Sequence, residues 1–330
     1  MNFLLEPTLP VALIELVVGL LLLTFAADKF VDGAVGIARV ARISPVAVGA
    51  VIVGFGTSAP ELLVSGIAAS NGDLDLGVGN VVGSNVANLT LVLGAAAFII
   101  PVLALRPLLV KEVPISLGST LLFAFFTIGG FAIWEGLVML GVLVAMLIWT
   151  MNGARDSGVQ ADTGQTDSDD TEDEDDDSSL LVNAVITLVG LAGTVLGAQF
   201  LVTGATTVAD EYGLTGGFVG FTLVALGTSL PELVTAIAAA RKSQTDLIMG
   251  NLLGSNMFNS LAVGGVIAIL GPGLIDDESI RTVGIIAMVF ISSLASIFIV
   301  TRRRLHRVEA IILLGAWLGT VVLLAQGASS

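Results

Sequence analysis

The sequence predicts an all-α membrane protein: ten transmembrane helices in two inverted five-helix repeats. Composition, span length and an internal repeat carry that prediction. Of 330 residues, 55% are hydrophobic and only 12% charged, with a mean hydropathy of +0.98. A soluble domain carries roughly 25% charged residues, because its surface faces water. Apolar stretches run near 10–31, 44–70, 76–104, 108–128, 132–151, 180–208, 214–240, 247–271, 282–301 and 308–326. Most reach the ~20 residues that cross a hydrocarbon core of ~30 Å, where backbone polar groups must be bonded internally, so they are expected to be helices.

Taken in order, the first stretch lacks a basic start and reads as a retained helix rather than a signal peptide. The second carries Gly56-Thr57-Ser58-Ala59-Pro60-Glu61-Leu62, and the third Gly79-Asn80 and Gly83-Ser84-Asn85 with Asn88. The fourth and fifth are plain apolar spans, with Trp134 and Trp149 near the ends of the fifth, as in an interfacial aromatic belt. Between Asp156 and Asp177 lie 11 of the 28 acidic residues, almost without apolar neighbours, so the net charge of −15 belongs mainly to this segment. Such a stretch cannot bury enough surface to fold alone and reads as a flexible linker, 152–179, between repeats at 1–151 and 180–330. The seventh and eighth stretches then repeat the two motifs, and Trp317 lies in the tenth.

Shifted by 171 residues, 54–94 aligns without a gap on 225–265, with 18 identities in 41 positions. Gly227-Thr228-Ser229-Leu230-Pro231-Glu232-Leu233 matches the first motif; Gly250-Asn251 and Gly254-Ser255-Asn256 with Asn259 match the second. Five helices per copy is an odd number, so the copies are expected upside down relative to each other. Loop charge agrees: Arg106 falls opposite Asp277, and Asp73 falls beside the position matching Arg241 and Lys242. The positive-inside bias puts Arg39, Arg42, Arg106, Lys111, Arg155, Arg241, Lys242, Arg302, Arg303, Arg304 and Arg307 in the cytoplasm, with the acidic linker. Both termini are then extracellular. Inverted repeats with interrupted helices are the architecture of secondary transporters, with the substrate near the bilayer midplane.

Absence of cysteine excludes disulfides and thiolate metal sites, and a single histidine, His306 in a basic loop, excludes multi-histidine zinc sites and leaves little room for a Ser-His-Asp hydrolase. Glu61 and Glu232 sit mid-helix, where an ionised carboxylate costs at least ~2.5–3.5 kcal/mol on insertion scales and calls for a partner or a function. With no membrane Lys or Arg in pattern, a bound cation is the expected partner. Pro60 and Pro231 lack an N–H, so the carbonyls of Gly56 and Gly227 lose their helical partner. Freed carbonyls, the hydroxyls of Thr57, Ser58, Thr228 and Ser229, and two carboxylates make an all-oxygen site of the kind Ca²⁺ prefers. Ser84 with Asn88, and Ser255 with Asn259, lie four apart on one helix face and supply an opposite wall. Glycines 79, 83, 250 and 254 have small-xxx-small spacing for close helix packing. Asp75 and Asp246 are read as helix N-caps, and Asn80 and Asn251 as braces of broken helices.

The paired Gly-Thr-Ser-x-Pro-Glu and Gly-Ser-Asn-x-x-Asn motifs resemble the sodium/calcium exchanger family of the calcium/cation antiporter superfamily. The resemblance implies a membrane antiporter, not an enzyme, that moves Ca²⁺ and Na⁺ by alternating access, with no cofactor and no nucleic-acid partner, in the plasma membrane and as a monomer. It implies that Glu61 and Glu232 share the Ca²⁺ and border the Na⁺ sites. Thr57, Ser58, Thr228 and Ser229 would add ligands, Ser84 and Ser255 would flank the outer and inner Na⁺ sites, and the carbonyls of Gly54 and Ala225 would be backbone ligands. Asn88 and Asn259 match the middle position, where some relatives carry Asp at the latter. Helices 1 and 6 are expected to move against helices 2, 3, 7 and 8, with Gly33, Gly36, Gly193, Gly197 and Gly204 permitting sliding. A Ca²⁺/H⁺ antiporter and a passive cation channel are the alternatives.

Overall fold

The computed structural model describes residues 8–40, 58–104, 108–156, 176–241, 243 and 245–328. Among these residues the protein is helical apart from two short strands. The first part contains α1 (Leu9–Val40), α2 (Ala59–Ser70), α3 (Leu74–Ala87), α4 (Leu93–Ile99), β1 (Val102–Leu103), α5 (Val113–Thr127) and α6 (Ile133–Asp156). The second contains α7 (Asp176–Tyr212), α8 (Gly216–Val219), α9 (Ala225–Thr228), α10 (Leu230–Arg241), α11 (Thr245–Phe258), α12 (Gly264–Leu270), α13 (Ile285–Arg302), β2 (Arg304–Leu305) and α14 (Arg307–Ala328).

Seven of these helical runs, among the described residues, are long and apolar enough to cross a membrane: Leu9–Phe30, Leu74–Ile99, Leu109–Thr127, Leu180–Tyr212, Leu247–Leu270, Ile280–Arg302 and Arg307–Gly327. An eighth is the pair Gly216–Thr228 and Leu230–Arg241, bent by 42° at Ser229. Ala59–Ser70 and Ile133–Trp149 are shorter apolar helices. The first half of the expected span 44–70 lies outside the described residues. The fold is therefore that of an all-helical, multi-pass membrane protein.

Among the described residues five segments wind as π-helix: Asn88–Val92, Leu108–Glu112, Gly220–Val224, Asn259–Val263 and Ile280–Gly284. Two of them begin at Asn88 and Asn259, the last residues of the repeated second motif. They continue α3 into α4 and α11 into α12, so each of these spans is one helix with an extra residue in one turn. A π-turn re-aims the side chains on either side of it, and such turns collect at functional sites.

The helix packing follows the small residues. α1 and α7 run against each other along their length, with glycines at the contact. A methyl on Gly197 would lie 2.6 Å from the Leu23 nitrogen, and one on Gly19 would lie 2.7 Å from the Leu201 nitrogen. Gly79 and Gly83 of α3 meet the second half of the chain: a methyl on Gly79 would collide with the Gly217 carbonyl, and one on Gly83 would sit 2.6 Å from Ala225 Cβ. The expected small-residue packing is thus seen for the first copy of the motif. The main core gathers Val78, Val81, Val82, Phe123, Leu252, Leu261 and Ile267, and a smaller one under α1 and α7 holds Leu16, Leu23, Val64 and Leu201.

Loops from the two halves pair at both ends of the helices. At one end Val102 and Leu103 form an antiparallel ladder with Leu305 and Arg304. At the other, Phe131 bridges to Gly273. There Asp75 accepts the backbone N–H groups of Asp276 (2.9 Å) and Asp277 (3.1 Å). This corrects the expected role of Asp75: the N-cap of α3 is Asp73, whose carboxylate accepts from the Leu76 N–H at 3.0 Å. Capping takes the residue before the first helical turn, and Asp75 already lies inside it.

Candidate functional site

The site forms where α2, α3 and the bend between α9 and α10 meet. Glu61 lies in the first turn of α2, one residue after Pro60, and is fully buried. Proline fits the first helical turn because its missing N–H would be unbonded there in any case, so the helix restarts at the motif. Ser58 takes the N-cap position with φ −97°, but its buried hydroxyl makes no capping bond and has no partner. Glu232 occupies the equivalent place in α10, also fully buried. Ser229 sits at the break between α9 and α10, and its hydroxyl donates to Glu61 Oε1 at 3.4 Å. The two copies of the first motif therefore touch each other.

Thr228 closes α9. Its hydroxyl lies 3.3 Å from Asn80 Oδ1 and 3.4 Å from the Ala225 carbonyl, which also accepts the Ser229 N–H. Ser84 on α3 points its hydroxyl at the same Asn80 Oδ1, at 3.5 Å. Asn88 donates through Nδ2 to Asn256 Oδ1 (3.0 Å), Asn256 donates to the Asn85 carbonyl (3.0 Å), and Asn85 donates to Ser260 (3.0 Å). Ser255 is buried on α11, and Asn259 is buried at the start of its π-segment with neither amide atom bonded. Gly54 and Thr57, expected ligands, lie outside the described residues.

Buried polar groups in proteins are overwhelmingly hydrogen-bonded, so unbonded ones demand a reason. Among the expected ligands, Ser58 Oγ, Glu61 Oε2, Asn88 Oδ1, Asn259 Oδ1 and both carboxylate oxygens of Glu232 are buried without a partner. Apart from Asn259 Nδ2, which is unbonded as well, the partnerless atoms of the expected ligands are oxygens, the donor type that hard cations take, and Ca²⁺ takes six to eight of them. Among the described residues no group of three or more His, Cys, Asp or Glu side chains is placed to hold a metal ion. A cation here would rest on two carboxylates and neutral oxygens. Such a set suits ions that bind and leave rather than one held permanently, and the ions are read as substrates.

Three side chains that the motif reading did not include among the ligands belong to the same region. Asn85 and Asn256 cross-link the two halves, and Ser65 accepts from Asn80 Nδ2 at 2.8 Å. Asn85 and Asn256 were visible as repeated residues. Ser65 had one signal, its place one helical turn after Glu61 on the same face.

Buried paired carboxylates inside a multi-pass helical protein are the pattern expected of a cation-transport site. The chain matches the family model described as sodium/calcium exchanger protein over residues 11–152 and 182–326, and it belongs to that family. It is 38% identical over 326 residues to CaxA of Alkalimonas amylolytica, covering 95% of this chain and 98% of that protein. It is 28% identical over 343 aligned positions to the sodium/calcium exchanger MaX1 of Methanosarcina acetivorans, covering 94% and 97%. The fold is similar to a solved structure of the sodium-calcium exchanger NCX_Mj soaked with Na⁺ and Sr²⁺, with a TM-score of 0.64, 28% identity, and 96% and 99% of the chains covered. The family is one of transporters, not enzymes.

Proposed function

We propose that this antiporter exchanges Na⁺ for Ca²⁺ at a site built from Glu61, Glu232, Thr57, Ser58, Thr228, Ser229, Ser84, Ser255, Asn88 and Asn259 with the carbonyls of Gly54 and Ala225. The observation that carries the reading is the pair of fully buried glutamates at equivalent repeat positions with unbonded carboxylate oxygens. Two carboxylates balance one Ca²⁺. Na⁺ ions occupying overlapping hydroxyl and carbonyl oxygens would displace it, so the loaded site can change sides. The empty site would hold two unscreened carboxylates in a dry interior and should not.

The ten-helix inverted repeat is part of the same proposal. It counts the eight spans above with α2 and α6, and it divides the chain at the acidic linker. α1 and α7, glycine-lined and outside the site, are the elements that would slide. External termini and a cytoplasmic linker, supported by loop charge, complete the reading together with the plasma membrane as location and a monomeric unit. Sodium rather than proton coupling is favoured because Asn88 and Asn259, not further carboxylates, hold the middle positions, and because the relative MaX1 is named a sodium/calcium exchanger.

The test is ⁴⁵Ca²⁺ uptake into proteoliposomes with Na⁺, K⁺ or H⁺ gradients imposed singly. Uptake should require an opposing Na⁺ gradient. Equal uptake driven by a pH gradient without Na⁺ overturns the coupling and promotes Ca²⁺/H⁺ exchange.

A further inference from the structure

The two copies of the repeat differ at one place that bears on the site. Ser65 follows Glu61 by four residues; the matching residue after Glu232 is Ala236. The asparagine bonded to Ser65, Asn80, has Asn251 at the matching position of the second copy. In the first copy the Asn80 amide is anchored, because its Nδ2 donates to Ser65 Oγ at 2.8 Å, and both residues are fully buried. In the second, Ala236 has no hydroxyl to offer, and the buried Asn251 Nδ2 has no partner among the described residues.

We propose that Ser65 is a positioning residue for Na⁺ ligands: by holding the Asn80 amide it aims two site hydroxyls, those of Thr228 and Ser84, toward the ion, and the second half lacks this device. The proposal rests on the ion-site reading above. A serine or threonine hydroxyl has one proton and two lone pairs, so to bind a cation it must send the proton elsewhere. Asn80 Oδ1 lies 3.3 Å from the Thr228 hydroxyl and 3.5 Å from that of Ser84, and accepts from both. Those two bonds are long and weak, and cannot by themselves hold the amide in place. The 2.8 Å bond to Ser65 pins the Asn80 side chain beside both hydroxyls, so that they keep a partner for their protons and leave lone pairs for a cation.

The effect should discriminate between the ions. Na⁺ relies on neutral hydroxyl and carbonyl oxygens, whereas Ca²⁺ draws most of its binding from the two carboxylates, which Ser65 does not touch. Loss of the anchor should therefore weaken Na⁺ while leaving Ca²⁺ nearly unchanged. The inverse change is also available: Ala236→Ser supplies Asn251 with the missing acceptor.

Apparent Na⁺ affinity is read from Na⁺-driven ⁴⁵Ca²⁺ efflux from proteoliposomes, and apparent Ca²⁺ affinity from Na⁺-free Ca²⁺/Ca²⁺ exchange. Ser65→Ala should raise the half-saturating Na⁺ concentration about fivefold, the scale of one neutral hydrogen bond, with the Ca²⁺ value within about twofold. Ser65→Thr, which keeps the hydroxyl, should restore the native Na⁺ value, and Ala236→Ser should lower it. Equal shifts for both ions, or no shift in either, assign Ser65 a structural role and overturn the proposal. Should Ser65→Ala fail to insert, Ala236→Ser decides alone, and an unchanged Na⁺ value with it is the overturning result. Glu61→Gln is run in parallel. If that variant keeps native Ca²⁺/Ca²⁺ exchange, the ion-site reading has failed. If it loses exchange while the Ser65 variants leave the Na⁺-to-Ca²⁺ ratio unaltered, the positioning role alone has failed.

Discussion

Glu61 and Glu232 are distinguished by what they lack. Glu61 Oε2 and both carboxylate oxygens of Glu232 have no hydrogen-bond partner, although both residues are fully buried. Replacing either by Gln keeps shape and hydrogen-bonding capacity but removes one of two charges facing a divalent ion. Ca²⁺ exchange in each variant should fall by at least about tenfold, since a dry divalent site depends on its carboxylates. Both variants should fold, because neutralising a buried carboxylate removes an insertion cost. Size-exclusion profile and ⁴⁵Ca²⁺ exchange check the two halves of this expectation, and native exchange in a well-folded variant returns the residue to structure. Asn256 offers the opposite case. It bonds Asn88 with its oxygen and the Asn85 carbonyl with its nitrogen, so Asn256→Ala strands two buried groups and should cost about 1–3 kcal/mol, read as a lowered melting temperature. The glutamates were legible in the sequence because a charge inside an apolar span is conspicuous. The asparagine cross-links and the Ser65 anchor were not, since their partners lie 15 to 175 positions away and no local pattern pairs them.

Individual elements show a similar division. Helix length and position follow from hydropathy, and the restart of α2 and α10 follows from Pro60 and Pro231. The π-turns at Asn88 and Asn259 do not, because one extra residue in a buried, uniformly apolar helix leaves no trace in a 3.6-residue pattern. The entry to α3 was legible as an acidic cap but assigned two residues late, to Asp75 instead of Asp73. Burial raises the Asp73 carboxyl above the ordinary carboxylate range, opposed by the Leu76 N–H it accepts and reinforced by Asp210. Asp73→Ala should lose the cap, at about 1 kcal/mol. Asp73→Asn keeps a capping oxygen without the buried charge. At neutral pH it should be at least as stable as the native protein. A raised native pKa means that the native carboxylate loses stability as pH rises through that value, so the advantage of Asn should vanish once pH falls below the ordinary carboxylate range. Thermal unfolding of the three proteins across that interval measures it. The α1–α7 contact gives a third test of this kind. A side chain at Gly197 meets the Leu23 backbone, so Gly197→Val should separate the helices and abolish transport, with Asp28 and Lys29 variants on the exposed face of α1 as unaffected controls.

On the scale of the whole molecule, the contacts that organise the site run between the halves. Asn88 to Asn256, Asn85 to Ser260, Thr228 to Asn80 and Ser229 to Glu61 join the halves around the candidate site. Asp75 to Asp276 and Asp277, Phe131 to Gly273, and the strand pair Val102–Leu103 with Arg304–Leu305 tie the two ends. All are noncovalent, and none involves the acidic segment between α6 and α7. Residues 160–177 carry no hydrophobic pattern in the sequence and no part of either motif. Their deletion should therefore leave Ca²⁺ exchange nearly native, measured per correctly inserted molecule. A sharper form of the same argument cuts the chain there. Fragments 1–159 and 178–330, produced together, should assemble through the cross-half bonds and recover transport, while either alone should not, because each would leave a buried Glu and its asparagines without the facing wall. A tag on one fragment should then retain the other through purification in detergent. Transport by one fragment alone would show that a single copy of the motif suffices and that the shared-carboxylate site is wrong. Loss of exchange on deletion, in protein that inserts and binds its other half, would instead give the acidic segment a role in gathering or sensing cations.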